Sequence, residues 1–134
     1  MKITNREMKI YNINGVEYEF VCESWETYRS WGHYVTLYRN SFNLAEEKRV
    51  YLNRTWEHYR YQSCMSGAVS NAMEGLIDRE FADYKFRNGI SRFRKGEKEK
   101  VLENIKTENE RYIEYKKLYD YISNYSGMRT GVIE

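Results

Sequence analysis

The sequence predicts an α+β fold in which a four-stranded antiparallel sheet is followed by two long helices. Three observations carry this expectation. Strand-like runs, alternating or rich in β-branched and aromatic residues, recur within the first 53 residues, Asn14-Gly15 sits between two of them, and from residue 55 the apolar spacing changes to three and four.

Asn and Gly both tolerate positive φ, so a type I′ turn joins MKIYNI to VEYEFVC as antiparallel strands. On the second of these, Val16, Tyr18, Phe20 and Cys22 share one face, with Glu17, Glu19 and Val21 on the other. The segment SWETYRSWG interrupts the alternation, and HYVTLYR restores a run rich in β-branched and aromatic residues. A short strand, KRVYLN, follows the loop NSFNLAEE and completes a meander over residues 8–53.

The first helix is expected over 55–87. Tyr61, Met65, Ala68, Val69, Ala72, Met73, Leu76 and Ile77 form its apolar stripe, and Asn53 or Thr55 is the N-cap candidate. Gly67, Ala68, Ala72 and Gly75 make one side narrow. Each glycine costs about 1 kcal/mol of helix propensity relative to alanine, so a packing reason is expected for both. Asn88-Gly89 is the stop signal.

The second helix is expected over 97–124, with Val101, Ile105, Tyr112, Tyr115, Tyr119 and Ile122 in a near-heptad seam that fails only at Glu108. Such a seam can pack on the sheet, on the first helix or on another subunit. Its tyrosines favour a half-wet interface, and the expectation is a homodimer or higher homo-oligomer through this seam and the small-residue stripe. The tail SGMRTGVIE, with two glycines, reads as a loosely attached terminus.

At 134 residues and 16.3 kDa the chain fits one domain, 1–134, with 55–124 as its two-helix region. Lys and Arg total 22 against 20 Asp and Glu, a net charge of +2 that argues against a broad nucleic-acid surface. No apolar run has the length of a signal peptide or a membrane span, which places the chain in the cytoplasm and away from membranes. Cys22 and Cys64 read as reduced, packed thiols. With His33 and His58 they offer no CxxC, HxxxH or HExxH spacing, so neither a metal nor a cofactor is expected. No GxSxG elbow, P-loop or dinucleotide fingerprint marks a catalytic residue. Glu57 and His58 offer acid–base groups, but so would any small protein with two histidines, and binding is favoured over catalysis.

The chain's unusual feature is an aromatic content of 16%, with 14 Tyr and no proline. Aromatics concentrate in Ser24–His33 and in Asn53–Gln62. In the second segment Arg54, Trp56 and Arg60 would stand at a helix start, where free amides and guanidinium groups hold an anion and a ring stacks on a base. A third segment, Lys85–Lys95, holds five basic residues and no acid, and Phe86, Asn88, Arg92 and Arg94 are its candidate ligand contacts. The competing expectation is structural: Trp25, Trp31 and Trp56 clamp the sheet to the helix, Arg54 pairs with Glu26 or Glu57, and the basic turn is a solvated loop.

The S-W-x-T…W-G-H loop followed by N-R-T-W-E-x-Y-x-Y-Q resembles small proteins of phages that infect Gram-positive bacteria, over about residues 16–77. Within that class, a sheet followed by two long helices is similar to the Thoeris anti-defence 1 family of cyclic ADP-ribose sponges. The resemblance implies an oligomer that sequesters a nucleotide-derived immune signal without cleaving it, in pockets lined by aromatic and Arg side chains at subunit contacts. It carries over no ligand residue. The rival expectation is an anti-CRISPR-type inhibitor that binds a host defence protein.

Overall fold

A computed structural model describes residues 2–43, 46–58, 60–124 and 128–132. The chain forms β1 (Lys2–Ile13), β2 (Val16–Glu26), β3 (Trp31–Asn43), β4 (Glu46–Glu57), α1 (Tyr61–Arg87), α2 (Glu97–Glu108), α3 (Glu110–Ser123) and β5 (Met128–Val132). The expected α+β order, an antiparallel meander and then helices, is present. The sheet has the order β4-β3-β2-β1-β5.

Asn14 and Gly15 both take positive φ, 53° and 81°, as the I′ turn requires, and the Gly15 N–H donates to Asn12 Oδ1 at 3.1 Å. Tyr18, Phe20 and Cys22 are buried in the core with Val35 and Leu37 of β3, and Val16 packs at its margin. Ser24–His33 is mostly strand rather than a long loop. Only residues 27–30 turn, held by Thr27, whose N–H donates to Ser30 O and whose Oγ1 accepts the Ser30 N–H. Much of the expected NSFNLAEE loop is likewise strand, apart from Leu44 and Ala45, which lie outside the described residues.

Four expectations are corrected. First, Asn53–Glu57 belongs to β4 and not to a helix start, because alternation carries on through Asn53, Thr55 and Glu57 on one side and Arg54 and Trp56 on the other. The helix begins at Tyr61 with Arg60 as its N-cap, and Asn53 serves it differently: its side-chain amide donates to Ala68 O at 2.8 Å. Second, the 97–124 helix is two helices. Asn109 ends α2, its N–H donating to Ile105 O, and starts α3, its side chain accepting the Tyr112 N–H at 3.0 Å. Third, the seam is spent inside the chain: Val101, Ile105, Tyr112, Tyr115 and Ile122 are buried in one core and Tyr119 packs against it. Fourth, Met128–Val132 pairs with β1, Met128 opposite Tyr11 and Val132 opposite Glu7. The remainder of that tail lies outside the described residues.

Of the two helical glycines, Gly67 has its packing reason. A Cβ there would stand 3.1 Å from the Thr55 methyl, so its absence lets α1 lie close to β4. Gly75 has none, since a Cβ would meet nothing within 4 Å. Gly75→Ala is therefore expected to stabilise the protein by about 0.5–1 kcal/mol. A rise in the urea midpoint at constant slope checks it, and an unchanged or lower midpoint contradicts it.

Alternation sorts the sheet into two faces. Tyr18, Phe20, Cys22, Ser24, Val35, Leu37 and Arg39 point toward α1 and α3, and Arg6, Glu23, Trp25, Tyr34, Thr36, Tyr38, Arg54 and Trp56 point away. Among the described residues no helix covers the second face.

Candidate functional site

The uncovered face is roofed by its own long side chains. Arg54 donates from Nε to Thr36 Oγ1 at 2.9 Å and lies 5.0 Å over the Tyr34 ring. Arg6 pairs with Glu23 at 3.0 Å, and Arg49 pairs with Glu19 while stacking 3.6 Å over Tyr38. Under this cover Thr36 is only 1% exposed, although no helix lies above it. Trp56 meets Tyr34 edge-on at 6.4 Å and remains 70% exposed.

The sequence-derived site therefore divides. Arg54 and Trp56 come together on the uncovered sheet face, two residues apart on β4, and not on a helix. Arg54 pairs with neither Glu26 nor Glu57. The tryptophans clamp nothing to the helices: Trp25 and Trp56 sit on the far face, and Trp31 is an exposed ring beside His33. Arg60, exposed, precedes α1. Phe86, Asn88, Arg92 and Arg94 follow the other end of that 27-residue helix, about 40 Å away, so the two groups do not meet within one chain.

The distal group stands on a built turn. The Phe93 ring packs against Phe81 at 5.2 Å and Tyr84 at 5.8 Å. Gly89 and Gly96 take φ of 63° and 79°, and the Ile90 N–H donates to Lys85 O. Asn88 closes α1, its side-chain amide donating to Tyr84 O at 2.8 Å. Glu97 accepts the Arg94 N–H and the Tyr84 hydroxyl. The backbone bond first, then the phenol, lowers its carboxyl pKa, while the Tyr84 phenol is raised. The turn thus presents Phe86, 88% exposed, with Arg92 and Arg94 on a fixed backbone. A cleft of about 440 Å³ opens beside it, bordered by Arg94, Lys95, Lys100 and Tyr84. It shares Tyr84, Val101 and Asn104 with a second cleft of about 290 Å³ that carries Glu80 and Glu108.

A polar cluster joins β2, β3 and α1 and brings together Ser24–His33 and Asn53–Gln62 through three residues that the sequence reading did not single out as site residues. Ser24 Oγ lies 3.1 Å from His33 Nδ1 and 2.6 Å from the Tyr61 hydroxyl, and the His33 and Tyr61 rings are 4.6 Å apart. Burial lowers the His33 pKa below its ordinary value, which favours the neutral ring. Among the described residues no carboxylate bonds to that ring, and the Ser24 hydroxyl is shared between two partners. The cluster ties three elements together. Its sequence signal was slight, three polar residues on otherwise apolar faces.

Burial pushes the Cys22 thiol up to about 12 and the Cys64 thiol to about 11. Both are expected to resist alkylation in native protein at neutral pH and to react as it unfolds. Rapid labelling of the native protein would contradict that. Among the described residues no group of three His, Cys, Asp or Glu side chains gathers to hold a metal ion, and no helix is long and apolar enough to cross a membrane.

A second set of residues missed from sequence is Arg79 and Arg111. They line a cleft of about 470 Å³ between β4, α1 and α3. A signal for the first was present: Ala68, Ala72, Gly75 and Arg79 follow one another at spacings of four, three and four, so Arg79 extends the small-residue stripe.

Comparison with protein-family models, with curated proteins and with solved structures gives no match for this chain.

Proposed function

We propose that this protein binds and sequesters a nucleotide-derived immune signal, such as a cyclic ADP-ribose isomer, without cleaving it. The supporting observation is the segregation of charge at the α1–α2 turn. Residues 85–100 hold seven Lys and Arg against two Glu, leaving 15 basic against 18 acidic in the rest of the chain. No ion pair forms within that segment among the described residues. Unpaired guanidinium and ammonium groups around a fixed turn suit a pyrophosphate, and the exposed Phe86 ring suits a base.

Calorimetric titration with a cyclic ADP-ribose isomer tests this reading. Charge reversal by Arg92→Glu with Arg94→Glu is expected to weaken binding about a hundredfold, the scale of two lost charge-assisted hydrogen bonds. No heat at millimolar ligand, or equal affinity in the variant, would count against it.

A second reading, inhibition of a host defence protein, is favoured by the uncovered sheet face, where Trp56 and Tyr51 stand exposed. Self-association would use the same face, since the tyrosine seam is already buried. Sedimentation of wild type against Trp56→Ala checks it.

A further inference from the structure

The cleft between β4, α1 and α3 differs from its neighbours in charge. Arg79 enters it from α1 and Arg111 from α3, and neither makes a hydrogen bond, ion pair or ring contact with another described residue. Among the described residues no Asp or Glu lines it, whereas the clefts along α2 carry Glu80 and Glu108, Glu97, or Glu74. In a chain with 20 acidic residues, two unpaired guanidiniums facing a cleft without a carboxylate make a site selective for anions.

The remaining walls narrow the class of anion. Tyr115 is buried at the cleft and Val50, opposite Arg39 on the helix side of β4, stands with Leu52 at its border, so one side is apolar. The Asn53 amide is already committed to Ala68 O, which leaves the arginines as the charged donors. Gly75 keeps a side free of any side chain, and about 470 Å³ is room for a ligand of nucleotide size. We infer that this cleft is a second ligand site, which takes a nucleoside phosphate with its phosphoryl group between Arg79 and Arg111 and its base against the apolar border at Val50 and Leu52. Guanidinium forks match phosphate oxygens in pairs, and two of them from separate helices hold one phosphoryl group from both sides. The site stands whether or not the α1–α2 turn binds its own ligand.

The test is titration of the full chain with ADP and, separately, inorganic pyrophosphate. It is followed by amide NMR at Gly75 beside the cleft and at Gly89 and Gly96 in the turn. ADP is expected to bind and to move Gly75, and pyrophosphate, lacking a base to bury against the apolar border, to bind about tenfold more weakly. Arg79→Gln is expected to weaken ADP about tenfold or more. Gly75→Glu places a carboxylate at the arginines while improving helix propensity, so ADP binding is lost although Tm does not fall. Retained ADP affinity in Gly75→Glu overturns the site. Shifts confined to Gly89 and Gly96 overturn it and leave the turn reading standing, and no binding of either probe at millimolar concentration overturns it outright.

Discussion

Glu114→Ala is expected to cost about 3–5 kcal/mol, the usual penalty for removing one partner of a buried ion pair. Glu114 on α3 accepts hydrogen bonds from the Tyr18 hydroxyl of β2 and from Arg39 Nε of β3, the latter at 3.0 Å. Arg39 also lies 3.3 Å from the Tyr18 oxygen, so three elements meet at one carboxylate. Burial first, and then the bond to Glu114, raises the Tyr18 phenol pKa, so it stays a donor at any pH the protein meets. Without the carboxylate the Arg39 charge, with its side chain only 16% exposed, is left facing a phenol. The urea midpoint of Glu114→Ala measures the loss. Adding Arg39→Met should recover part of it, because the stranded charge goes too. A cost below about 1 kcal/mol would show that the pair is merely tolerated.

Gly32→Ala is expected to cost about 1–3 kcal/mol by overpacking. The Trp25 indole lies across Gly32, and a Cβ there would stand 2.6 Å from Trp25 Cζ2 and 2.8 Å from the backbone oxygen of Glu57. The ring can tilt, but the β4 backbone beside it cannot give by that much without breaking the β3–β4 register, which pairs His33 with Glu57. The Trp25 Nε1 group is buried and has no hydrogen-bond partner among the described residues, so a tilted ring gains water. With Trp31 and Trp56 replaced by phenylalanine, Gly32→Ala should lower the urea midpoint and shift Trp25 emission to longer wavelength. Unchanged emission and stability would mean that the ring does not rest on Gly32.

The sheet was legible because its signals are local. Asn14-Gly15 dictates its turn, and the inward row Tyr18, Phe20 and Cys22 is read directly from alternation. The misreadings share a cause: a residue with two meanings. Asn53 and Thr55 are good helix caps, yet Thr55 is also a good strand residue and Asn53 is accommodated on the edge strand. Their cap meaning obscured a period-two pattern that runs on to Glu57. Asn109 is a polar residue inside a near-heptad, and only the backbone shows it serving as a cap for α3. The site was less legible. Phe86, Arg92 and Arg94 were visible as a basic aromatic run, whereas Ser24, His33 and Tyr61, or Arg79 and Arg111, are joined only by tertiary packing. The net charge of +2 also concealed an acidic body with a basic tip.

Capture of a nucleotide signal without turnover is tested most directly by incubating the pure protein with extract from cells whose defence is active, washing it, denaturing it by heat and identifying what is released by mass spectrometry. Recovery of an intact cyclic nucleotide or ADP-ribose derivative, about one per occupied site, is the expected result. A blank, or a hydrolysed product, would contradict it.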